Sequence, residues 1–204
     1  TNIIPSMQGF FVHVSDGSYP VTGTLGITNS VRVNDRTHNF LKSAAASERF
    51  LIRATASFTD DAASSDPTVI YFTADASPGF DSDQDALKLL NTDFHFANVY
   101  SVLAGGNRLS VNALPESTDT ALVVPLGLRT NRDGEVTFRL RDLENLPGGG
   151  RVYFRDRTTG ANRNMLPDKD YKVVLTAGTY NDRFSIAFLK STTGIEEPES
   201  SSDL

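Results

Sequence analysis

The chain has 204 residues, of which 39% are hydrophobic and 22% charged, with a formal net charge of -6 and a pI near 5.0. This length suits one large domain or two small ones, and the acidic balance argues against a nucleic-acid partner because no basic stripe can neutralise phosphates. No apolar run reaches the roughly 18 residues of a membrane helix, so we expect no membrane insertion. The absence of cysteine excludes a thiol nucleophile, a thiolate zinc site and an iron–sulfur cluster.

The first half of the chain contains segments in which apolar and polar residues alternate, as they do in half-buried strands. We predict strands at 7–14, 22–28, 49–58 and 68–76, the last two forming a hairpin around an exposed, mobile acidic loop at 59–67. The pattern changes at 81–90, where Ser82 and Asp85 have the spacing of a helix N-terminus and apolar residues follow on one side. We therefore predict one short helix there.

The second half carries the clearest alternation of the chain, at 134–141, where Val136, Phe138 and Leu140 share one face. Further strands are predicted at 97–103, 108–114, 121–130, 151–157, 171–177 and 183–189, separated by Gly, Pro and Asn turns. Because each strand has one apolar face, two antiparallel sheets must pack face to face. The sequence predicts an all-β fold, an antiparallel, jelly-roll-like β-sandwich with one short helix.

The composition also suggests where the domain ends. We predict that residues 1–190 form the β-sandwich domain and that residues 191–204 form an acidic linker or disordered tail, since this Glu- and Ser-rich stretch cannot bury a core. Residues 1–5 have neither the basic leader nor the long apolar run of a signal peptide. We therefore interpret the chain as a fragment or a mature product.

Three aspartates at alternate positions are the candidate metal ligands. Asp81, Asp83 and Asp85 are spaced like the first ligands of a calcium loop, in which carboxylate oxygens surround the ion. The pattern then departs from that loop, because Ala86 stands where a Gly is needed and Thr92 where a bidentate Glu is expected. The sequence favours the alternative of an acidic helix N-terminus and leaves calcium as the candidate cofactor.

A second group of aspartates, Asp60, Asp61 and Asp66, is interpreted as part of a solvated loop.

Patterns typical of enzymes are weak in this chain. The three histidines are the available imidazole bases, and no Gly-x-Ser-x-Gly elbow accompanies them. A glycosidase pair cannot be assigned among 25 acidic residues. We therefore expect no enzymatic activity.

Sugar binding by a sheet typically uses an exposed aromatic ring with polar groups beside it. Tryptophan is absent, and Tyr153 is the best candidate because it shares a strand face with Arg155 and Arg157 while Val152 and Phe154 face inward. Tyr153 and Arg155 are therefore the candidate ligand-binding residues. The alternative is that Tyr153 forms an ordinary cross-strand surface pair.

Several segments, taken in their order, resemble the non-catalytic β-sandwich modules of large surface and secreted proteins exported by the type IX secretion system. These segments are Ile4–Val12, Thr28–Arg32, Gly79–Leu89, Val124–Leu128, Leu143–Pro147, Val152–Asp156 and Gly178–Phe184. In such proteins the module precedes a linker, which Gly194–Pro198 resembles, and then a C-terminal sorting domain. Members usually carry a Gly-Asn-Pro-Tyr type segment before the first strand, so residues 1–45 are expected to be an incomplete N-terminal part.

The resemblance implies an extracellular or cell-surface location, a structural or adhesive role, and no catalytic site. The implied partners are a polysaccharide or a surface protein, together with neighbouring domains of the same polypeptide. A carbohydrate-binding module of a secreted enzyme is the alternative function.

Overall fold

A computed structural model of the protein describes residues 12, 22–31, 49–116, 121–147, 149–165 and 169–189. The chain divides into two compact units, Thr1–Ser47 and Glu48–Leu204. The strand predicted at 7–14 lies outside the described residues except for Val12. Among the described residues, no helix is both long and apolar enough to cross a membrane.

The first unit contains a short 3-10 turn at Asn29–Val31. Residues 22–28 have no strand structure, so the strand predicted there is wrong. Leu25 and Ile27 are 59% and 67% exposed, so their alternation with polar residues contributes little hydrophobic stabilisation. The two glycines of this segment further disfavour a strand.

The described part of the second unit is almost entirely β structure, which confirms the all-β prediction. Its strands are β1 (Leu51–Phe58), β2 (Asp61–Thr73), β3 (Ala86–Leu87), β4 (Asn98–Val102), β5 (Arg108–Pro115), β6 (Ala121–Thr130), β7 (Gly134–Glu144), β8 (Arg151–Asp156), β9 (Ala161–Asn164), β10 (Asp170–Leu175) and β11 (Gly178–Leu189). The predicted strands from 97 to 189 all occur, with shifts of a few residues at their ends. The short strands β3 and β9 were not predicted.

These strands form one nearly closed, barrel-like sheet in the order β10-β7-β1-β2-β5-β4-β6-β11-β8-β9, with β3 added beside β5. The predicted hairpin of β1 and β2 is confirmed. Neighbouring strands are antiparallel except β2 and β5, which run parallel with Val69 beside Val111. A sheet this nearly closed leaves few free edges, which limits pairing with other chains.

The core follows from the alternation of the strands. Val136, Phe138 and Leu140 of β7 are buried as predicted, at 0%, 2% and 1% exposure. The ring of Phe138 lies 4.7 Å from that of Phe154 in β8 and 4.8 Å from that of Phe184 in β11. The aromatic centre of the core therefore joins β7 to the neighbouring strands β11 and β8, which lie near the other end of the sheet order.

The short helix predicted at 81–90 is wrong. The Asp85 amide donates to the Asp81 carbonyl (2.7 Å), which closes a single turn, and the chain then enters β3. The reason is that one Asp85 carboxylate oxygen accepts from the Asp81 amide (2.8 Å) while the other accepts from the Ala113 amide of β5 (2.7 Å). This side chain ties the turn to the sheet and favours strand pairing over a second helical turn.

The exposed loop predicted at 59–67 is also wrong, because β2 already begins at Asp61 and only Thr59 and Asp60 form the turn. The segment pairs with β1, with Phe58 beside Asp61 and Ala56 beside Asp66. A register irregularity between these two pairs accommodates the extra residues, as in a β-bulge.

Candidate functional site

A concave surface lies along the outer face of β11 and results from the alternation of large and small side chains on this strand. Phe184, Ile186 and Phe188 point to the core, so the smaller Ser185 and Ala187 fall on the opposite face. The sheet register places larger residues on both sides of this row of small residues. A trough along the outer face of β11 is the result.

Two cross-strand rows define this trough. Ser185 pairs with Arg155 of β8 on one side and with Pro125 of β6 on the other. Ala187 pairs with Tyr153 of β8 and with Val123 of β6 in the next row. The residues that flank the trough therefore come from strands adjacent to β11.

A cleft of about 940 Å³ includes the row of Ser185, Arg155 and Pro125, and we call it the β11 cleft. Ala187 and Tyr153 of the next row are not part of its lining. Its volume falls within the range of about 300–1,000 Å³ that is typical of small-molecule sites. Aliphatic residues form much of the lining, including Val102, Leu103, Leu122, Val123 and Pro125. Its polar side chains include Arg155, Arg157, Asn162, Asn181, Asp182 and Arg183.

Asp156, beside the β11 cleft, is a buried carboxylate with five hydrogen-bond donors. Its residue exposure is 1%, and Arg183 binds it through both oxygens, from Nε (2.9 Å) and Nη2 (2.8 Å). The Tyr171 hydroxyl (2.8 Å) and the amides of Thr158 (2.9 Å) and Thr159 (3.4 Å) also donate to it. Tyr171 belongs to β10, so this carboxylate joins two strands near opposite ends of the sheet order.

These contacts determine the ionisation of Asp156. Burial alone raises the pKa of this carboxyl, but the hydrogen bonds from Arg183, Tyr171 and the Thr158 amide outweigh it and hold the pKa at about 2. Asp156 is therefore ionised at neutral pH and has its acceptor sites occupied. Such a group is suited to holding strands together and is poorly suited to accepting a proton during a reaction.

Arg155 differs from Arg183 because its guanidinium is mostly without partners. Its Nε donates to Asn162 Oδ1 (3.3 Å), which fixes the direction of the side chain. Among the residues that the structure describes, neither terminal nitrogen of Arg155 has a hydrogen-bond or ion-pair partner. Arg157 makes one long contact with Asp182 (3.4 Å) at 77% and 85% side-chain exposure.

Tyr100 packs on the same face of the sheet and adjoins the cleft through Asn181. Its ring is fully buried over Gly127 of β6, and its hydroxyl donates to Asn181 Oδ1 (2.9 Å). A Cβ at Gly127 would lie 2.7 Å from Tyr100 Cδ2 and Cζ and closer still to Cε2. Position 127 therefore requires glycine because the ring occupies the space of a side chain.

The structure places one of the two predicted ligand-binding residues at the β11 cleft. Arg155 lines the β11 cleft, whereas Tyr153 lies one row further along β8, half-buried between Ala187 and Asn164. The predicted alternation is confirmed, since Val152 and Phe154 are 2% and 1% exposed. Whether Tyr153 and Arg155 bind a ligand stays a prediction.

The three candidate calcium ligands lie in the turn before β3. The Asp81 carboxylate accepts from the Asp83 amide (3.1 Å), and the Asp85 carboxylate serves the two amides described above. Within the described ranges, no group of three or more His, Cys, Asp or Glu side chains is placed to hold a metal ion. The carboxylates of Asp81 and Asp85 therefore have roles as backbone caps, and calcium binding stays a prediction.

The interpretation of the second aspartate group as solvated is wrong for Asp66. Its carboxylate accepts from the Val99 amide (2.7 Å) and pairs with Lys88 Nζ (2.5 Å), and the two side chains are 14% and 4% exposed. Burial raises the pKa of the Asp66 carboxyl, and the Lys88 ammonium opposes this rise. Asp60 does remain largely exposed, paired with Arg132 (2.6 Å).

Of the three histidines, His95 is described, and it contacts Asp61 through Nδ1 (2.8 Å) at 47% side-chain exposure. His13 and His38 lie outside the described residues.

Sequence reasoning missed the group formed by Asp156, Arg183 and Tyr171. One signal was present, because Asp156 falls on the inward positions of β8 with Val152 and Phe154, and a buried charge must be paired. The partners could not be identified from spacing, since Arg183 lies 27 positions away and Tyr171 lies 15.

Comparison with known proteins gives a family and no function. No curated protein and no solved structure matches the chain. A family model described as a domain of unknown function (DUF8693) matches residues 1–188, which is most of the chain. The chain therefore belongs to the family described as a domain of unknown function, DUF8693.

Proposed function

We propose that this chain is a non-catalytic extracellular module with a structural or adhesive role in a larger protein exported by the type IX secretion system. One observation carries the proposal: Asp156, the buried carboxylate beside the β11 cleft, accepts from five donors and has a pKa held at about 2. Because the Asp156 carboxylate has its acceptor sites occupied by groups of the fold, the cleft beside it is suited to contact with a partner. It is poorly suited to general acid or base chemistry.

The proposed architecture is a jelly-roll-like sandwich, in which the barrel-like sheet is flattened into two layers. Support comes from the core, where Phe138 of β7 meets Phe154 of β8 and Phe184 of β11 at 4.7 and 4.8 Å. Strands of the two halves of the sheet order thus face each other through their side chains. Such a module presents loops and sheet faces to partners while its core stays closed.

The test is to locate the protein and measure its adhesion. Antibodies against the purified chain should label intact cells of the source organism, and external protease should remove the label. Beads coated with the chain should adhere to partner-cell or matrix surfaces more strongly than beads coated with the heat-denatured chain. Labelling confined to permeabilised cells would contradict the extracellular role, and equal retention of both kinds of bead would contradict the adhesive one.

A carbohydrate-binding module is the second candidate function. It is supported by Arg155, whose side chain lines the β11 cleft and whose two terminal nitrogens have no partner among the described residues. The half-buried Tyr153 lies two positions earlier on the same strand. Purified chain should then bind insoluble polysaccharides saturably, and Tyr153→Ala should weaken that binding. Arg141→Ala, an exposed change on β7, is the control and should leave it unchanged.

A further inference from the structure

The guanidinium of Arg155 has the geometry of a carboxylate receptor. Its Nε is held by Asn162 Oδ1 (3.3 Å), so the planar group has a fixed orientation at the wall of the β11 cleft. The two terminal nitrogens have no partner within the described part of the chain. A guanidinium in this state presents parallel donors that match the two oxygens of a carboxylate.

The charge around the β11 cleft contrasts with that of the whole chain. Three arginines and two aspartates line the cleft, in a protein with a formal net charge of -6. Asp156 is neutralised by Arg183, and Asp182 makes only a long, exposed contact with Arg157. The remaining unpaired charge at the wall is therefore positive and belongs to Arg155.

A second observation concerns Asn112, which lines the same cleft and is 1% exposed. Its side-chain oxygen is buried and accepts no hydrogen bond among the described residues. An unsatisfied buried acceptor is unfavourable, and a hydroxyl donor that enters from the cleft would satisfy it. The lining thus combines a receptor for a carboxylate with an acceptor for a hydroxyl.

We propose that the β11 cleft binds a uronic-acid-bearing polysaccharide, with a sugar carboxylate on Arg155, one hydroxyl on the side-chain oxygen of Asn112, and further hydroxyls on the side-chain amides of Asn162 and Asn181. This inference rests on the second candidate function above and specifies its ligand class. Aliphatic residues such as Val123 and Pro125 provide surface for the C–H face of the sugar ring. Arg157, which follows the last residue of β8 and also lines the cleft, is placed to meet a second carboxylate of the polymer.

The test is calorimetric titration of the full chain with oligogalacturonate, its methyl ester and a neutral galactan oligomer. Oligogalacturonate should bind saturably and the methyl ester should bind about ten- to hundredfold more weakly, since esterification removes the charge that Arg155 recognises. Arg155→Gln should cause a loss of similar size, and Arg155→Lys should restore part of it. Arg141→Gln removes the same charge from β7 and should leave the affinity unchanged.

The outcomes separate this inference from the functions proposed above. Equal binding of the acid and the methyl ester would overturn the carboxylate site while leaving carbohydrate binding in place. Binding of the neutral galactan alone would do the same. No binding of any of the three would overturn the inference, and the polysaccharide pull-down on the same preparation would decide whether carbohydrate binding fails with it. An unchanged melting temperature for Arg155→Gln excludes misfolding as the cause of a loss.

Discussion

The two faces of β8 use charge in opposite ways. On the inward face, Asp156 accepts from five donors and joins β8 to β10 and β11. On the outward face, one residue earlier, Arg155 makes a single hydrogen bond to Asn162 and has two nitrogens without partners among the described residues. Burial therefore decides the role of a charged residue on this strand, since the buried, paired Asp156 supports the fold while the half-buried Arg155 is available for a ligand.

The largest effect is expected from Asp156→Asn, which removes the charge of the inward face. Arg183 would then be a partly buried cation without its counter-ion, and removing one member of a buried pair costs about 3–5 kcal/mol of unfolding free energy. Urea denaturation followed by circular dichroism measures the loss. Asp182→Asn, at a side chain that is 85% exposed, is the matched control and should change stability by less than about 0.5 kcal/mol. Equal midpoints for the two variants would contradict the comparison.

The pH dependence of stability sharpens the same contrast. The pKa of Asp156 is about 2 in the folded protein, below the value of about 3.9 expected in the unfolded chain. Its contribution is therefore fully present above about pH 5 and is lost as the pH falls through both pKa values to about 1, by about 2–3 kcal/mol in all. Denaturation midpoints measured across this window should fall more steeply for the natural protein than for Asp156→Asn. Parallel curves would show that the carboxylate is not linked to folding.

A smaller effect is expected from Gly127→Ala, which perturbs the outward face beside the β11 cleft. The new methyl group would collide with the buried ring of Tyr100 and cost about 1–3 kcal/mol. Displacement of the ring also shifts its hydrogen bond to Asn181 at the cleft, so oligogalacturonate affinity should fall with the melting temperature. Gly105→Ala, where a Cβ meets nothing within 4 Å, should leave both unchanged. A Gly127→Ala variant as stable as the natural chain would show that the ring moves freely.

The smallest effect is expected at Asp85, which belongs to neither face of β8. Asp85→Asn keeps one acceptor oxygen and should lower the free energy of unfolding by about 1 kcal/mol, because the cap on the Asp81 and Ala113 amides is weakened.

Melting curves of the natural protein with calcium and with EDTA test the predicted calcium site. We expect the two curves to coincide. A rise in melting temperature with calcium that disappears in Asp81→Asn would instead establish a calcium site.

The alternation of apolar residues was sufficient to predict β6 from Ala121 to Thr130 and the inward direction of Val152 and Phe154. It failed at Asp85, because an aspartate that suits a helix N-terminus also caps a turn, and the deciding contact with Ala113 is 28 positions away. The sequence predicted Arg155 as a ligand-binding residue but no cleft. Arg155 followed from strand alternation, but Asn162 and Asn181 approach it only through the pairing of β9 and β11 with β8.

The parallel pair formed by β2 and β5 has a consequence for the rate of folding. Hairpins such as β1 and β2 close short loops, whereas the contact between β2 and β5 joins Thr68 and Ser110, which are 42 positions apart. Contacts between distant positions form late, since the entropy of a long loop must be lost first. The β2–β5 pairing is therefore expected to form after the β1–β2 hairpin, and a chain emerging from a ribosome cannot complete this pair until residue 115 is free.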